Sequence, residues 1–284
     1  MVCVCVCVCV VGSFSAVLLH MYVQGSKKQK MMKIMTRMVV RAALIRKMSS
    51  STSSSSSSSS SITLYHCFSS RSVRALWTLE ELGLKYKVVS LPFPPRVFRK
   101  QFKKELNPMG TVPFLVDSGT EMTESSAICH YLAQKYPNDE LNLLVSPEEK
   151  DFPNFLDWMY RSDATLTFPQ TLYLRYSVHE PDERKQLQVA KDYETWFLAR
   201  ARTLETFLEK RTYLCSNRFT IADIAVGYAL LLAEDNEVNQ VFTPNIKRYW
   251  NNLKMRPAFL RIRDVGIDEW GKFPRTRRDA GIFD

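Results

Sequence analysis

Cysteine is scarce where a disulfide framework or a metal centre would need it. Four of the seven, Cys3, Cys5, Cys7 and Cys9, fall in the first ten residues, and only Cys67, Cys129 and Cys215 are spread over the rest. Dispersed thiols of this kind suit a reducing compartment, and none has the spacing of a zinc site. His66, next to Cys67, is accompanied by no further metal-type residue. Acid is missing altogether from residues 1–61, which carry eight Lys or Arg; removing those eight from the 39 leaves 31 bases against 29 acids. The formal charge of +10 therefore belongs to the leader. No basic patch able to grip phosphates is implied, which excludes nucleic acid as a partner.

What is present is ample material for a core, with 45% hydrophobic and 12% aromatic residues in 284. The first 61 residues stand apart from it. VCVCVCVCVV alternates like a strand, yet Val-Cys alternation is also what a GT dinucleotide repeat encodes, so it reads as translated microsatellite. Residues 1–23 carry no charge and are just long enough to span a bilayer, the one segment where membrane contact is conceivable. Residues 27–47 are basic and Met-rich, and a serine run from Ser49 to Ser61 follows, broken only by Thr52. That combination is similar to an organelle transit peptide feeding a flexible linker. Starts at Met38 or Met48 would leave a short presequence or almost none. The expected location is cytoplasmic, with mitochondrion or another organelle as the alternative.

From Ile62 the pattern becomes that of a folded chain. ITLYHCF reads as a strand, SVRALWTLEELGL as a helix stopped by Gly83, and KYKVVSL as a second strand. A proline-rich basic loop and a helical turn near Phe98–Leu106 precede TVPFLVD, an SGT turn, a brief strand at Glu121–Met122 and the helix SAICHYLAQKY. The order β-α-β-α-β-β-α matches a thioredoxin-like mixed sheet over residues 62–140. From 148 to 265 the apolar residues recur three and four apart with no convincing strand, as in an all-α helical bundle. One helix there is predicted to run through residues 182–210, and another to be capped by Thr220 and Asp223 with Phe219 packing on Ile224. Residues 266–284 form a tail.

Within NPMGTVPFLVDSGTEMTESSAICHYL, residues 107–132, a proline opens a strand and Thr123-Glu124-Ser125-Ser126 stands before a helix. This segment resembles the glutathione-binding stretch of glutathione transferases. SSRSVRALWTLEELGLKY resembles the opening helix of that family, and FTIADIAVGYAL its capping-box motif, so that the likeness covers residues 62 to about 262. The resemblance implies a thioredoxin-like domain followed by an all-helical domain, a homodimer, and no cofactor beyond glutathione as co-substrate. The branch implied is the serine-type, fungal- or bacterial-like one, since no tyrosine occupies the first turn.

The resemblance also implies a set of site residues. Pro113 would be cis, turning the N–H and C=O of Val112, beside Thr111, toward the cysteinyl backbone of the tripeptide, a small case of strand addition. Ser125, at a helix N-terminus, would bind the γ-glutamyl carboxylate, and Glu124 would face the α-ammonium group. A hydroxyl would donate to the sulfur and favour the thiolate; alignment from Gly83 points to Ser69 by one family pattern and to Ser70 by another. Arg71 would face the anionic ligand. On architecture alone, Trp158, Met159, Tyr160 and Phe168 would line a pocket for a small hydrophobic electrophile. The implied reaction is conjugation, with peroxidase side activity. Cys67, in the CxxS arrangement Cys67–Ser70, leaves a glutathione-dependent thiol reductase as an alternative, and a non-catalytic binding or regulatory module is another.

Overall fold

The computed structural model describes residues 62–138, 140–239 and 242–266. The leader and linker over 1–61, and all of the tail beyond Gly266, lie outside the described residues.

Four strands, β1 (Ile62–His66), β2 (Tyr86–Ser90), β3 (Phe114–Asp117) and β4 (Thr120–Met122), form a sheet of order β2-β1-β3-β4. β1 and β2 are parallel and joined through helix α1 (Ser72–Glu81); the β1–β3 and β3–β4 pairs are antiparallel. Alternation along β1 divides its side chains between two cores. Ile62 and Leu64 face α1 and α3 (Ser125–Lys135), while Tyr65 joins Phe102, Phe114 and Leu91 on the other side. That second face is covered by a π-helical turn Phe102–Leu106, which a short helix α2 (Pro95–Phe98) precedes and packs against. Helices thus lie on both sides of a mixed sheet.

Among the described residues the elements that follow are helical, apart from an isolated bridge between Cys215 and Arg218: α4 (Phe152–Arg161), a π-helical segment Ser162–Thr167, α5 (Phe168–Leu174), a π-helical turn Arg175–His179, α6 (Leu187–Phe207), α7 (Ile221–Asp235), α8 (Pro244–Lys254) and α9 (Pro257–Ile262). α7 is apolar around most of its circumference and is buried almost throughout, so it forms the axis on which α1, α4 and α8 pack. Its start is fixed as Thr220 and Asp223 predict. The Thr220 N–H donates to Asp223 Oδ2 at 2.8 Å, and the Asp223 N–H to the Thr220 carbonyl at 3.0 Å. The α6 helix is shorter than its periodicity suggests. Asp182–Arg184 form a separate 3-10 turn, because that charged, exposed run has no apolar face to bury and no side chain caps it onto α6. Among the described residues no helix is long and apolar enough to cross a membrane.

Candidate active site

The turn after β1 carries most of the candidate chemistry. Ser70 is half-buried; its Oγ donates to the Cys67 carbonyl at 2.9 Å, accepts from the Ser72 N–H at 3.3 Å and lies 2.6 Å from Ser72 Oγ. Ser70 thereby braces the first turn of α1 while keeping a hydroxyl at the turn. Ser69 has the left-handed φ of 53°, its carbonyl accepts from the Tyr228 hydroxyl at 3.3 Å, and its Oγ donates to Asp235 at the end of α7. Cys67 is 1% exposed and burial pushes its thiol pKa up. That burial tells against the CxxS reading, since a thiol out of contact with solvent and with a raised pKa is a poor nucleophile.

The antiparallel register Tyr65↔Phe114 brings this turn alongside the residues that precede β3. Val112–Pro113 is a cis peptide, and Val112 stands outside β3 with no backbone hydrogen-bond partner among the described residues. Asn107, 1% exposed, holds the preceding loop, donating to the Thr111 carbonyl at 2.8 Å and accepting from the Met109 N–H at 3.1 Å. Gly110 has φ +65°, and a Cβ there would lie 2.8 Å from Arg96 Cβ, so this close turn requires glycine. Farther on, Glu124 is the exposed, extended residue before α3, and its carbonyl accepts from the Ile128 N–H at 2.8 Å. The amides of Ser125, Ser126 and Ala127 thus open the helix with no intrahelical acceptor, the arrangement that attracts a carboxylate.

Arg74 organises these parts, and sequence reasoning missed it. It is fully buried, and its guanidinium donates to Ser125 Oγ (3.0 Å), Asp163 Oδ1 (2.9 Å), Thr167 Oγ1 (2.9 Å) and the carbonyls of Ser162 (3.1 Å) and Ala225 (3.0 Å). Ser125 accepts from Arg74 and so keeps its own proton to donate. Arg71 is not turned to open solvent as a ligand clamp: Nε binds Asp163 at 2.8 Å and Nη2 binds Thr171 at 3.0 Å. Burial works to raise the Asp163 pKa, but the charges of Arg74 and Arg71 hold it below the ordinary value. The only sequence signal for Arg74 was a cation inside the apolar face Val73–Leu76–Trp77.

A cavity of about 350 Å³ opens between the β1–α1 turn and the helical domain, walled by Phe68, Ser69, Val73, Leu231, Phe259 and Ile262. None of the four expected pocket residues lines it. Trp158 and Met159 belong to the core, at 2% and 7% exposure, because α4 turns Phe155, Trp158 and Met159 inward together at helical spacing. Tyr160 follows on the opposite face, 75% exposed, and Phe168 is 51% exposed. The wall comes instead from α7, α9 and the residues after it; Pro257 opening an Ala258–Phe259–Ile262 stripe was its available signal.

Residues 64–140 match the model of the glutathione S-transferase N-terminal domain, and residues 169–257 that of the glutathione S-transferase C-terminal domain. The chain belongs to the glutathione S-transferase family. Among its relatives is glutathione S-transferase 3 of Schizosaccharomyces pombe, 26% identical over 220 residues, covering 69% of this chain and 84% of that one. Glutathione S-transferase 3 of Zea mays is 28% identical over 204 residues, covering 67% and 87%. In fold the chain is similar to Ure2p5 from Phanerochaete chrysosporium, cocrystallised with 1-(S-glutathionyl)-2,4-dinitrobenzene, with a TM-score of 0.63 and 24% identity over 75% of this chain and 97% of that one.

Proposed function

We propose that this glutathione S-transferase family member adds the thiolate of glutathione to an electrophilic carbon, with Ser70 Oγ donating a hydrogen bond to the sulfur. One end of the sheet carries the reading. Ser70, the backbone of Val112 and the amide end of α3 lie on three segments drawn together by the β1–β3 register and by Arg74. Val112 would pair with the cysteinyl backbone between Thr111 and Pro113. Ser125 and the free amides of α3 would take the γ-glutamyl carboxylate, and exposed Glu124 the α-ammonium group.

Ser70 is preferred over Ser69 because a carboxylate, Asp235, holds the Ser69 proton, whereas the Ser70 proton faces only neutral acceptors, the Cys67 carbonyl and Ser72, which a thiolate can outcompete. A thiol with a pKa near 8.5 is mostly protonated at neutral pH, so a donor aimed at sulfur raises the reactive fraction, about tenfold for each pKa unit. The electrophile would enter the cavity against its apolar side, Phe68, Leu231, Phe259 and Ile262, with charged residues such as Glu234, Lys254 and Arg263 on the rest of the wall. By family resemblance the protein acts as a homodimer, with peroxide reduction as a side activity.

Conjugation of a chloronitrobenzene by the purified chain tests this. Ser70→Ala is expected to lower kcat/KM about tenfold or more near neutral pH. If conjugation is unchanged in Ser69→Ala and Ser70→Ala, alone and together, hydroxyl catalysis is wrong; if the chain is retained on immobilised glutathione yet conjugates nothing, a binding module is the better reading.

A further inference from the structure

The turn that presents Ser70 also starts a hydrogen-bonded chain running into the protein. Ser70 Oγ and Ser72 Oγ are 2.6 Å apart, Ser72 Oγ is 2.8 Å from His66 Nδ1, and His66 Nε2 is 3.2 Å from the Val265 carbonyl oxygen. A carbonyl only accepts, so Nε2 carries a proton, and in the neutral ring Nδ1 is left as an acceptor. Ser72 then donates to Nδ1 in preference to the Cys67 carbonyl at 3.3 Å, and Ser70 turns its one proton from the Cys67 carbonyl at 2.9 Å to the shorter contact with Ser72, whose oxygen also accepts from the Cys67 N–H at 3.2 Å. At rest the protons of the chain point from Ser70 toward His66. Burial favours that neutral ring, drawing the His66 pKa down to about 4 against the opposing pull of the Val265 carbonyl.

A thiolate beside Ser70 needs the opposite polarity. Once Ser70 turns its proton to sulfur, two hydroxyl oxygens face each other unless Ser72 donates to Ser70 and Nδ1 donates to Ser72. The state of His66 that donates from both nitrogens is the imidazolium. We infer that the Ser70–Ser72–His66 chain conducts the glutathione thiol proton to the buried imidazole. The S–H bond breaks and its proton goes to Ser70 Oγ, as Ser70 passes its own to Ser72 Oγ and Ser72 passes its own to His66 Nδ1. The products are a thiolate and an imidazolium, with both hydroxyls now oriented toward sulfur. Ser70 touches the reacting atom; Ser72 and His66 are positioning residues.

The low pKa at rest belongs to a ring without an anion nearby, and a thiolate two hydroxyls away supplies that charge. The charged groups sharing the cavity wall with His66 largely pair among themselves: Glu234 of α7 with Lys254 of α8, and Asp264 with Arg263 after α9, while Asp235 accepts from Ser69.

The inference rests on the reading that the glutathione sulfur lies at Ser70, and the experiment separates the two. Bound glutathione is titrated by thiolate ultraviolet absorbance on the full chain, with its affinity measured by calorimetry. His66→Gln keeps an N–H for Val265 but takes up no proton; Ser72→Ala interrupts the chain with the imidazole in place. Each is expected to raise the bound thiol pKa by about one unit, a tenfold loss of thiolate below it, with affinity changed by less than about threefold. Ser72→Thr is expected to restore it. In the unmutated protein, nitrogen NMR of the His66 ring is expected to report imidazolium only with glutathione bound. A ring that stays neutral, or a thiol pKa indifferent to both variants, overturns the inference and leaves the reading of Ser70 intact. Failure of the unmutated chain to bind glutathione overturns both.

Discussion

Arg74 Nη1 lies 3.0 Å from Ser125 Oγ and 2.9 Å from Asp163 Oδ1, so one guanidinium holds the entrance of α3 against the helical domain. Its charge is buried, but each neighbouring polar group answers it, which is the condition under which such a charge is tolerated. Removing the charge orphans the partners. Arg74→Met is expected to cost about 3 kcal/mol in urea unfolding, with Ser125, Thr167 and two carbonyls left short of a donor. Arg74→Lys should recover only part, since an ammonium lacks the planar fork. A loss under about 1 kcal/mol for Arg74→Met would show that packing alone joins the domains.

Cys67 offers a sharper separation between transferase and reductase chemistry. Its thiol is buried, its pKa is pushed up by that burial, and Sγ lies 3.7 Å from the Pro92 carbonyl. Cys67→Ser is therefore expected to change both conjugation and reduction of a hydroxyethyl mixed disulfide by less than about threefold. A selective collapse of the disulfide activity would restore the one-thiol mechanism.

The parts of this molecule that the sequence makes legible are those whose physics is local. The apolar run of β1, the apolar stripe of α1 and the Thr220–Asp223 box each need only neighbours within a few residues, and each is found where its pattern predicts. The candidate ligand-facing stretch is legible for the same reason, because Pro113, Glu124 and Ser125 sit in one short segment. Arg74 is not, since its partners lie 51 to 151 residues away and a lone cation on an apolar helix face looks like an error in phase. Trp158 and Tyr160 show the related limit: helical spacing says that they point apart, but only the packing of α4 on α7 says which one faces inward.

Asp117 links sheet and helix electrostatically and sets a pH signature. It ends β3, its side chain is fully buried, and it accepts from Lys135 (2.8 Å), Tyr136 (2.8 Å) and Tyr131 (2.9 Å). Burial would raise its pKa, but these donors, with Ser118, outweigh that and hold it at about 2. A carboxylate with a depressed pKa stabilises the fold above its unfolded value near 3.9, and loses that contribution as pH falls through the folded value. Asp117→Asn should cost about 1–2 kcal/mol at pH 7, discounted because Lys135 is partly exposed to solvent. The gap between variant and parent should narrow from pH 4 to pH 2. A gap independent of pH would assign the loss to packing.

Gly227 marks the closest approach of α7 to α1. A Cβ built there would lie 3.0 Å from Trp77 Cζ3 and 3.2 Å from Leu253 Cδ1. The Trp77 ring has little room to retreat: it is 0% exposed, its Nε1 donates to Glu81 at 2.8 Å, and Phe259 meets it edge-on at 4.8 Å. In a free helix Gly→Ala stabilises by about 1 kcal/mol, whereas an added methyl against a fixed neighbour costs about 1–3 kcal/mol. The second effect should win, so Gly227→Ala is expected to destabilise by about 1 kcal/mol or more. Because the opposition comes from the indole, the same substitution made in a Trp77→Phe background should be neutral or stabilising, and a thermal or urea double-mutant cycle reads that coupling directly. An additive cycle would mean that Leu253 of α8, not the ring of Trp77, resists the methyl group.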